Sequence, residues 1–262
     1  MNPLFVIKIG GNVIDSADAL AAFLSNLASL KASWILVHGG GKLATDLSAR
    51  LGIATQMIDG RRVTDQATLD VVTMVYGGLV NKRIVAGLQA HGVNALGLTG
   101  ADGDIIRAKK RIHPTTDYGF VGDVERVSAE RLDSLLRQGF LPVLAPLTHD
   151  GAGNILNTNA DTIAAETASS LASRYDVRLV YCFEKQGVLR DIADEASVIP
   201  RITVQDYEYL RASGAIAKGM IPKMDNAFAA LRRGVQAVTI MSADSIGRLQ
   251  NADSVGTTII AE

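Results

Sequence analysis

One cysteine, Cys182, in 262 residues removes two classes of protein at once. No intrachain disulfide can form, and a cysteine-based zinc site cannot be assembled. Histidine is almost as scarce: His38, His91, His113 and His149 are scattered, without the HExxH spacing of a metalloprotease. An excess of one charge is missing as well. Lysine plus arginine total 26 against 27 for aspartate plus glutamate, a formal net charge of −1. No general field therefore draws nucleic acid or an acidic membrane surface, and any anion must be held by a few placed cations. No apolar run approaches the ~18 residues of a membrane span. Strand-like sequence begins by Leu4, which leaves no room for a signal peptide. The expectation is a cytoplasmic protein without nucleic-acid or membrane partners.

What remains is an ordinary globular composition, 48% hydrophobic and 20% charged, on a chain long enough for one large α/β domain or two lobes. The stretch that organises it is Leu4-Phe5-Val6-Ile7-Lys8-Ile9-Gly10-Gly11-Asn12. A continuous apolar run suits a parallel strand covered on both faces. A lysine in that run is costly unless an anion meets it, or unless it snorkels to water at the strand end. Ligands of open α/β sheets sit beyond the carboxyl ends of the strands, where Lys8 points. Gly10 and Gly11 let backbone N–H groups approach a phosphate closely.

The chain then alternates. Asp15 can cap a helix over about 16–30, and Trp34–Val37 forms a strand ending in His38-Gly39-Gly40-Gly41. Basic helix ends with a glycine at C′ lead into strands three more times, at 93–98, 140–144 and 235–241. This is the βα rhythm of a mostly parallel sheet. Two stretches, 56–63 and 104–123, read as hairpins outside that sheet. Between them a long helix runs over 65–89, more apolar than one face needs, which fits either a buried helix or a subunit interface. Asn159 caps a helix to about 173, strand 177–183 follows, and Thr203-Val204-Gln205-Asp206 starts another helix like a capping box. Pro222 opens a helix over 222–233, and 256–260 is a last strand. A lobe boundary is expected at Tyr175–Asp176.

Five groups can converge at strand ends: Lys8 with Gly10-Gly11; Gly39–Gly41; Gly60-Arg61-Arg62; Asn157-Thr158-Asn159-Ala160-Asp161; and Gly219-Met220-Ile221-Pro222-Lys223. Each has a plainer use. Arg62 could be a surface residue, and Asp161 could merely complement a helix dipole. Lys223 is less comfortable, because a cation early in a helix opposes the dipole. The triple glycine lacks the GxGxxG spacing of a dinucleotide turn, which argues against a Rossmann dehydrogenase.

Together and in this order, these groups resemble the amino acid kinase family, and within it the kinases of N-acylated glutamate. The most specific piece is Asn157-Thr158-Asn159-Ala160-Asp161, similar to the family's N-x-N-A-D; Arg62-Val63-Thr64 and Gly100-Ala101-Asp102-Gly103 agree with it. The resemblance implies a three-layer αβα sandwich around an open, mostly parallel sheet. It implies two lobes, with 1–175 binding acylglutamate and making a dimer and 176–262 binding nucleotide. It implies phosphoryl transfer from ATP, with Mg2+ carried by the phosphates and water, to the side-chain carboxylate of N-acetylglutamate in arginine biosynthesis. Lys8 and Lys223 would clamp the phosphoryl group and Asp161 would hold both lysines. Arg62, Asn157, Asn159 and Gly39, Gly40 and Gly41 would grip the acylglutamate. Lys8, Gly10, Gly11, Glu184, Gly187, Gly219, Met220 and Lys223 would line the nucleotide.

The chain departs from the family in Glu184-Lys185-Gln186-Gly187, where relatives carry an aspartate, a valine and then a glycine. None of these motifs touches the acyl group, so N-succinylglutamate stays beside N-acetylglutamate as a substrate. Carbamate kinase, which shares the turn echoed by Gly10-Gly11-Asn12, and a non-catalytic binding protein on the same scaffold are further alternatives. Arginine-regulated relatives carry an extra N-terminal helix before the first strand. Its absence here leads to the expectation of a homodimer, built on helix 65–89, without arginine feedback.

Overall fold

The structure is a computed structural model that describes residues 1–58, 60–191, 193–212 and 220–261. Its centre is one eight-stranded sheet. In chain order the strands are β1 (Pro3–Ile9), β2 (Ser33–His38), β3 (Met57–Ile58), β4 (Arg61–Arg62), β5 (Ala95–Leu98), β6 (Ile106–Lys110), β7 (Gly122–Val127), β8 (Leu141–Leu144), β9 (Leu147–His149), β10 (Ile155–Asn157), β11 (Asp176–Phe183), β12 (Arg201–Ile202), β13 (Ala237–Ser242) and β14 (Thr257–Ile259). The helices are α1 (Asn12–Asp15), α2 (Ala17–Ala28), α3 (Gly41–Arg50), α4 (Gln66–Val72), α5 (Asn81–Ala90), α6 (Ala129–Arg137), α7 (Ala160–Leu171), α8 (Val204–Ala212) and α9 (Ile221–Arg232).

The main sheet runs β12-β14-β13-β11-β1-β2-β8-β5, and every pairing in it is parallel except β13 with β14. The chain leaves β1 toward β2 on one side and returns to β11 on the other. A crevice opens above β1, at the switch point where α/β sheets take their ligands. The expected lobe boundary falls at the start of β11, and the sheet passes through it without a break.

Both faces are covered, and strand alternation sorts the side chains between them. Phe5, Ile7 and Ile9 of β1 pack with Trp34 and Leu36 under α2, α4 and α5. Leu4 and Val6, with Ile35 and Val37, pack under α6, α7 and α9. By the same alternation Lys8 faces α7 and α9, while His38 faces α5. The two hairpins lie outside this sheet as expected. One is β3-β4; the other, β6-β7, joins β9 and β10 in a separate four-stranded sheet.

Several boundaries differ from the sequence expectation. The helix placed at 16–30 is two pieces, because Ser16 and not Asp15 caps α2, its side chain accepting from the Ala19 N–H at 3.3 Å. Asp15 instead ends the single turn α1 that follows Gly11. The helix opened by Pro222 starts one residue earlier, at Ile221. The long helix is continuous from Gln66 to Ala90, with a π-helical stretch, Thr73–Val80, between α4 and α5. It is long and apolar enough to cross a membrane by length and composition alone, contrary to the expectation that no apolar stretch approaches that length. Its residues Leu69, Val72, Val75, Tyr76, Val80, Ile84 and Leu88 are buried in the core.

Candidate active site

Three charged side chains meet at the carboxyl end of β1. Lys8 Nζ lies 2.8 Å from Asp161 Oδ1, and Lys223 Nζ lies 3.0 Å from Asp161 Oδ2. Each comes from a different element whose local chemistry fixes it. Lys8 is turned toward α7 by strand alternation. Asp161 stands in the first turn of α7 because Asn159 caps that helix, its Oδ1 accepting from the Thr162 N–H at 3.0 Å. Lys223 is in the first turn of α9, where the dipole opposes a cation. Two contacts offset that opposition: the Asp161 carboxylate, and the Phe183 ring, whose centroid lies 4.3 Å from Lys223 Nζ.

Burial alone would push the Asp161 carboxyl up, but the charges of Lys8 and Lys223 outweigh it and hold the group below its ordinary value. The geometry is unequal. Lys223 donates an aligned hydrogen bond, whereas Lys8 makes an ion contact without hydrogen-bond alignment to Oδ1. Two ammonium groups on one carboxylate leave a net positive charge, which suits an anion with several oxygens.

Beside this cluster the glycine turns press together. The Gly39 N–H donates to Ile9 O at 2.9 Å, tying the end of β2 to the end of β1. A Cβ on Gly10 would stand 2.9 Å from Lys8 Nζ. Gly40, at φ 145°, has no room either: a Cβ there would meet the Tyr76 ring at 3.1 Å. These turns border a cavity of about 190 Å3 lined by Gly39, Gly40, Gly41, Arg62, Asn157 and Asn159, with Tyr76, Met57, Arg61, Val121, Pro146 and Thr158.

Arg62 is buried in the cavity wall. Its guanidinium donates to Gly41 O at 2.8 Å, Thr45 Oγ1 at 2.9 Å and Thr55 Oγ1 at 3.2 Å, which fixes the fork against the first turn of α3. Asn157 donates to Thr64 Oγ1, which donates to Arg62 O, so β10 and β4 are locked to each other. The N-termini of α3 and α7 both open on the cavity, and their unpaired N–H groups add partial positive charge to that of Arg62. Positive charge of this kind suits a carboxylate, and the lysine pair stands one residue beyond the cavity wall, Ala160 being followed by Asp161.

The structure thus brings Lys8, Asp161 and Lys223 into one cluster, and Gly39–Gly41, Arg62, Asn157 and Asn159 into one cavity. Gly10 adjoins the first. Gly11, at φ 53°, forms the turn into α1. Met220 caps α9, and Gly219 lies outside the described residues. Glu184 is exposed just beyond β11, while Gly187 is buried where a Cβ would meet Thr257 and Val198, so close packing explains that glycine. Sequence reasoning missed Tyr76, Met57, Val121 and Pro146, which nothing local marks. The Phe183 ring, which lies beneath both lysines, 5.8 Å from Lys8 Nζ and 4.3 Å from Lys223 Nζ, was missed as well.

Residues 3–242 match the model of the amino acid kinase family. The acetylglutamate kinase of Cytophaga hutchinsonii is 56% identical over 263 residues, covering 100% of both chains. That of Phocaeicola vulgatus is 58% identical over 243 residues, covering 93% of this chain and 95% of its own. Among solved structures, N-acetylglutamate synthase from Neisseria gonorrhoeae, complexed with coenzyme A and N-acetyl-glutamate, superposes with a TM-score of 0.84 at 23% identity. It covers 100% of this chain and 60% of that one, a likeness of fold. On the match along residues 3–242 and the full-length identity, this chain belongs to the amino acid kinase family.

Proposed function

We propose that this chain phosphorylates the γ-carboxylate of N-acetyl-L-glutamate with ATP, giving the acyl phosphate, a step of arginine biosynthesis. The observation that carries the reading is the Lys8–Asp161–Lys223 cluster standing beside a cavity walled by Arg62 and two helix N-termini. Full-length identity to acetylglutamate kinases supports the same reaction.

The chemistry needs no general base. A glutamate γ-carboxylate, with a pKa of about 4.3, is ionised at neutral pH. One of its oxygens attacks the γ-phosphorus of ATP, the bond to the β-bridging oxygen breaks, and ADP leaves with the electron pair. What must be overcome is repulsion between carboxylate and triphosphate, so catalysis is positioning and charge neutralisation. Arg62 grips the α-carboxylate. Lys8 and Lys223 approach the transferred group from β1 and α9, the N–H groups of Gly10 and Gly11 supply further donors there, and the N–H of Gly40 serves the acylglutamate. Mg2+ belongs to the nucleotide, held by phosphates and water. Asp161 fits a lysine-holding role better than a metal-ligand role, since both of its oxygens face ammonium groups.

In this reading residues 1–175 take the acylglutamate and 176–262 the nucleotide. Met74 and Leu79, exposed on the long helix, support a homodimer through that helix. Sedimentation of Leu79→Glu as a monomer, against a dimeric wild type, would bear this out; an unchanged mass would refute it. The test of function is ATP-dependent acyl phosphate formation trapped as the hydroxamate, with N-acetylglutamate and N-succinylglutamate side by side. Turnover of N-acetylglutamate is expected. Silence with both, alongside turnover of carbamate, would overturn the reading.

A further inference from the structure

The opposite face of the sheet carries a second polar device, directly behind the glycine turn. His38, the last residue of β2, is wholly buried and faces α5, where Asn81 is buried too. Asn81 Nδ2 lies 2.9 Å from Val143 O and 3.1 Å from His38 Nε2, and Asn81 Oδ1 accepts from Lys82 Nζ at 3.0 Å. The same ammonium donates to Gly97 O at 3.0 Å.

This network leaves one protonation pattern. An ammonium can only donate, so the oxygen of Asn81 faces Lys82 and its two amide hydrogens serve Val143 O and His38 Nε2. Nε2 is therefore the acceptor and the imidazole proton sits on Nδ1. From there it donates to Gly39 O at 2.8 Å. The carbonyl of Gly39 is thus turned toward His38, and in a planar trans peptide the N–H of Gly40 points the other way. Gly40 lies on the cavity wall, at a φ of 145° that no side chain of its own could enforce.

We infer that His38 is a positioning residue: through the bond from Nδ1–H to the Gly39 carbonyl, with Asn81 and Lys82 selecting the tautomer, it aims the Gly40 amide at the substrate carboxylate. This rests on the function proposed above. Burial lowers the basicity of His38 to about 4, with Lys82 adding to the effect against the Gly39 carbonyl, so the ring stays neutral across assay pH. A histidine that merely fills the core would affect stability and nothing else.

Two substitutions separate these roles. The side-chain nitrogen of Asn in His38→Asn takes the place of Nδ1 and can still donate to Gly39 O. The nitrogen of Gln in His38→Gln reaches the place of Nε2 and leaves that carbonyl unpaired. The KM for N-acetylglutamate should rise about tenfold in His38→Gln, the worth of one lost hydrogen bond. It should recover to within about threefold of wild type in His38→Asn, with the KM for ATP steady in both. Melting temperatures report the structural cost separately.

Asn81→Asp gives a second reading, because a carboxylate only accepts and must hold a proton on Nε2. The charged groups facing the ring would then be the introduced carboxylate and Lys82. At low pH the imidazolium still donates from Nδ1; as pH rises that proton leaves and the Gly39 carbonyl is released. The KM for N-acetylglutamate of this variant should climb from about pH 6 to about pH 9, while wild type stays flat. Equal KM changes in His38→Asn and His38→Gln that track melting temperature, or a flat profile for Asn81→Asp, would overturn the positioning role. An inactive wild type would instead remove the function on which it rests.

Discussion

Asp161→Asn keeps the shape of the side chain and removes its charge, so it tests whether the carboxylate acts by holding two lysines. The amide offers one acceptor oxygen and one NH2 group, so one ammonium loses its partner and meets a donor instead. Breaking one partner out of a buried pair costs about 3–5 kcal/mol. Lys8 and Lys223 keep 12% and 24% of their side-chain surface exposed, which argues for the low end, about 3 kcal/mol. In the free protein this appears as lost stability, about 6–12 °C in melting temperature at roughly 2–4 °C per kcal/mol. With ATP bound, phosphate oxygens replace the missing carboxylate, so the KM for ATP should hold or fall while misaligned lysines lower kcat by about a hundredfold. The stability difference has a sign in pH. The carboxyl of Asp161 is held below its ordinary value of 3.8, so its contribution is complete above that value and is lost as pH falls through the lower folded one. Melting curves of wild type and variant should therefore converge in acid. Steady-state kinetics on Asp161→Asn, Lys8→Ala and the double variant complete the test. If Asp161 acts through the lysines, the double variant loses little more than Lys8→Ala alone. Additive losses, or a kcat within about threefold of wild type for Asp161→Asn, would refute the reasoning.

Arg62→Ala removes the fork that contacts Gly41, Thr45 and Thr55, and should raise the KM for N-acetylglutamate by about ten- to a hundredfold, from hydrogen bonds to a charged group, with kcat less affected. A steady KM with a collapsed kcat would place Arg62 at the transferred phosphoryl group instead. Gly10→Ala would put a methyl group 2.9 Å from Lys8 Nζ. The obstacle is the flexible end of a side chain, so the fold should survive and kcat should fall by about tenfold or more as the ammonium is displaced. An unchanged kcat with the melting temperature intact would show that Lys8 tolerates the shift.

The parts of the fold that were legible in sequence are those set by local chemistry. The capping of α7 by Asn159 and the reciprocal bonds between Thr203 and Asp206 at the start of α8 follow from side chains a few residues apart. Lys8 was legible because an ammonium in an apolar strand demands an anion, and Lys223 because it stood against a helix dipole. What the sequence did not reveal is long-range. Strands β9 and β10 are three residues each, too short for periodicity to mark, and exist because β6 offers β9 an edge to pair with. Tyr76 looked like any apolar residue of the long helix until the turn at Gly40 was seen packed against its ring. The Asn81–His38 contact joins residues 43 apart and has no local signature. The family resemblance sets Gly187 along the nucleotide, and the close approach of Thr257 and Val198 gives that glycine a packing reason that only the fold reveals.

The arrangement around the reacting groups carries one last consequence, in the pH dependence of turnover. Asp161, Cys182, Tyr181 and His38 are each moved away from neutrality. Asp161 is held below the carboxylate range by its two lysines, against its burial. Burial pushes the Cys182 thiol up to about 12, partly opposed by Lys8, and it drives the Tyr181 hydroxyl higher still, with the charge of Asp161 adding to the effect. His38 is lowered to about 4. The substrate carboxylates are themselves fully ionised above about pH 6. A site whose chemistry is charge neutralisation, with no proton taken from the nucleophile, therefore predicts a kcat that is level from about pH 6 to about pH 8 at saturating MgATP, in contrast to the bell of acid–base catalysis. An inflection inside that window would mean that a titrating group limits the rate. Repeating the profile in Asp161→Asn would then locate it: an inflection that moves with the charge of Asp161 belongs to the cluster, and one that stays put belongs to a step outside it.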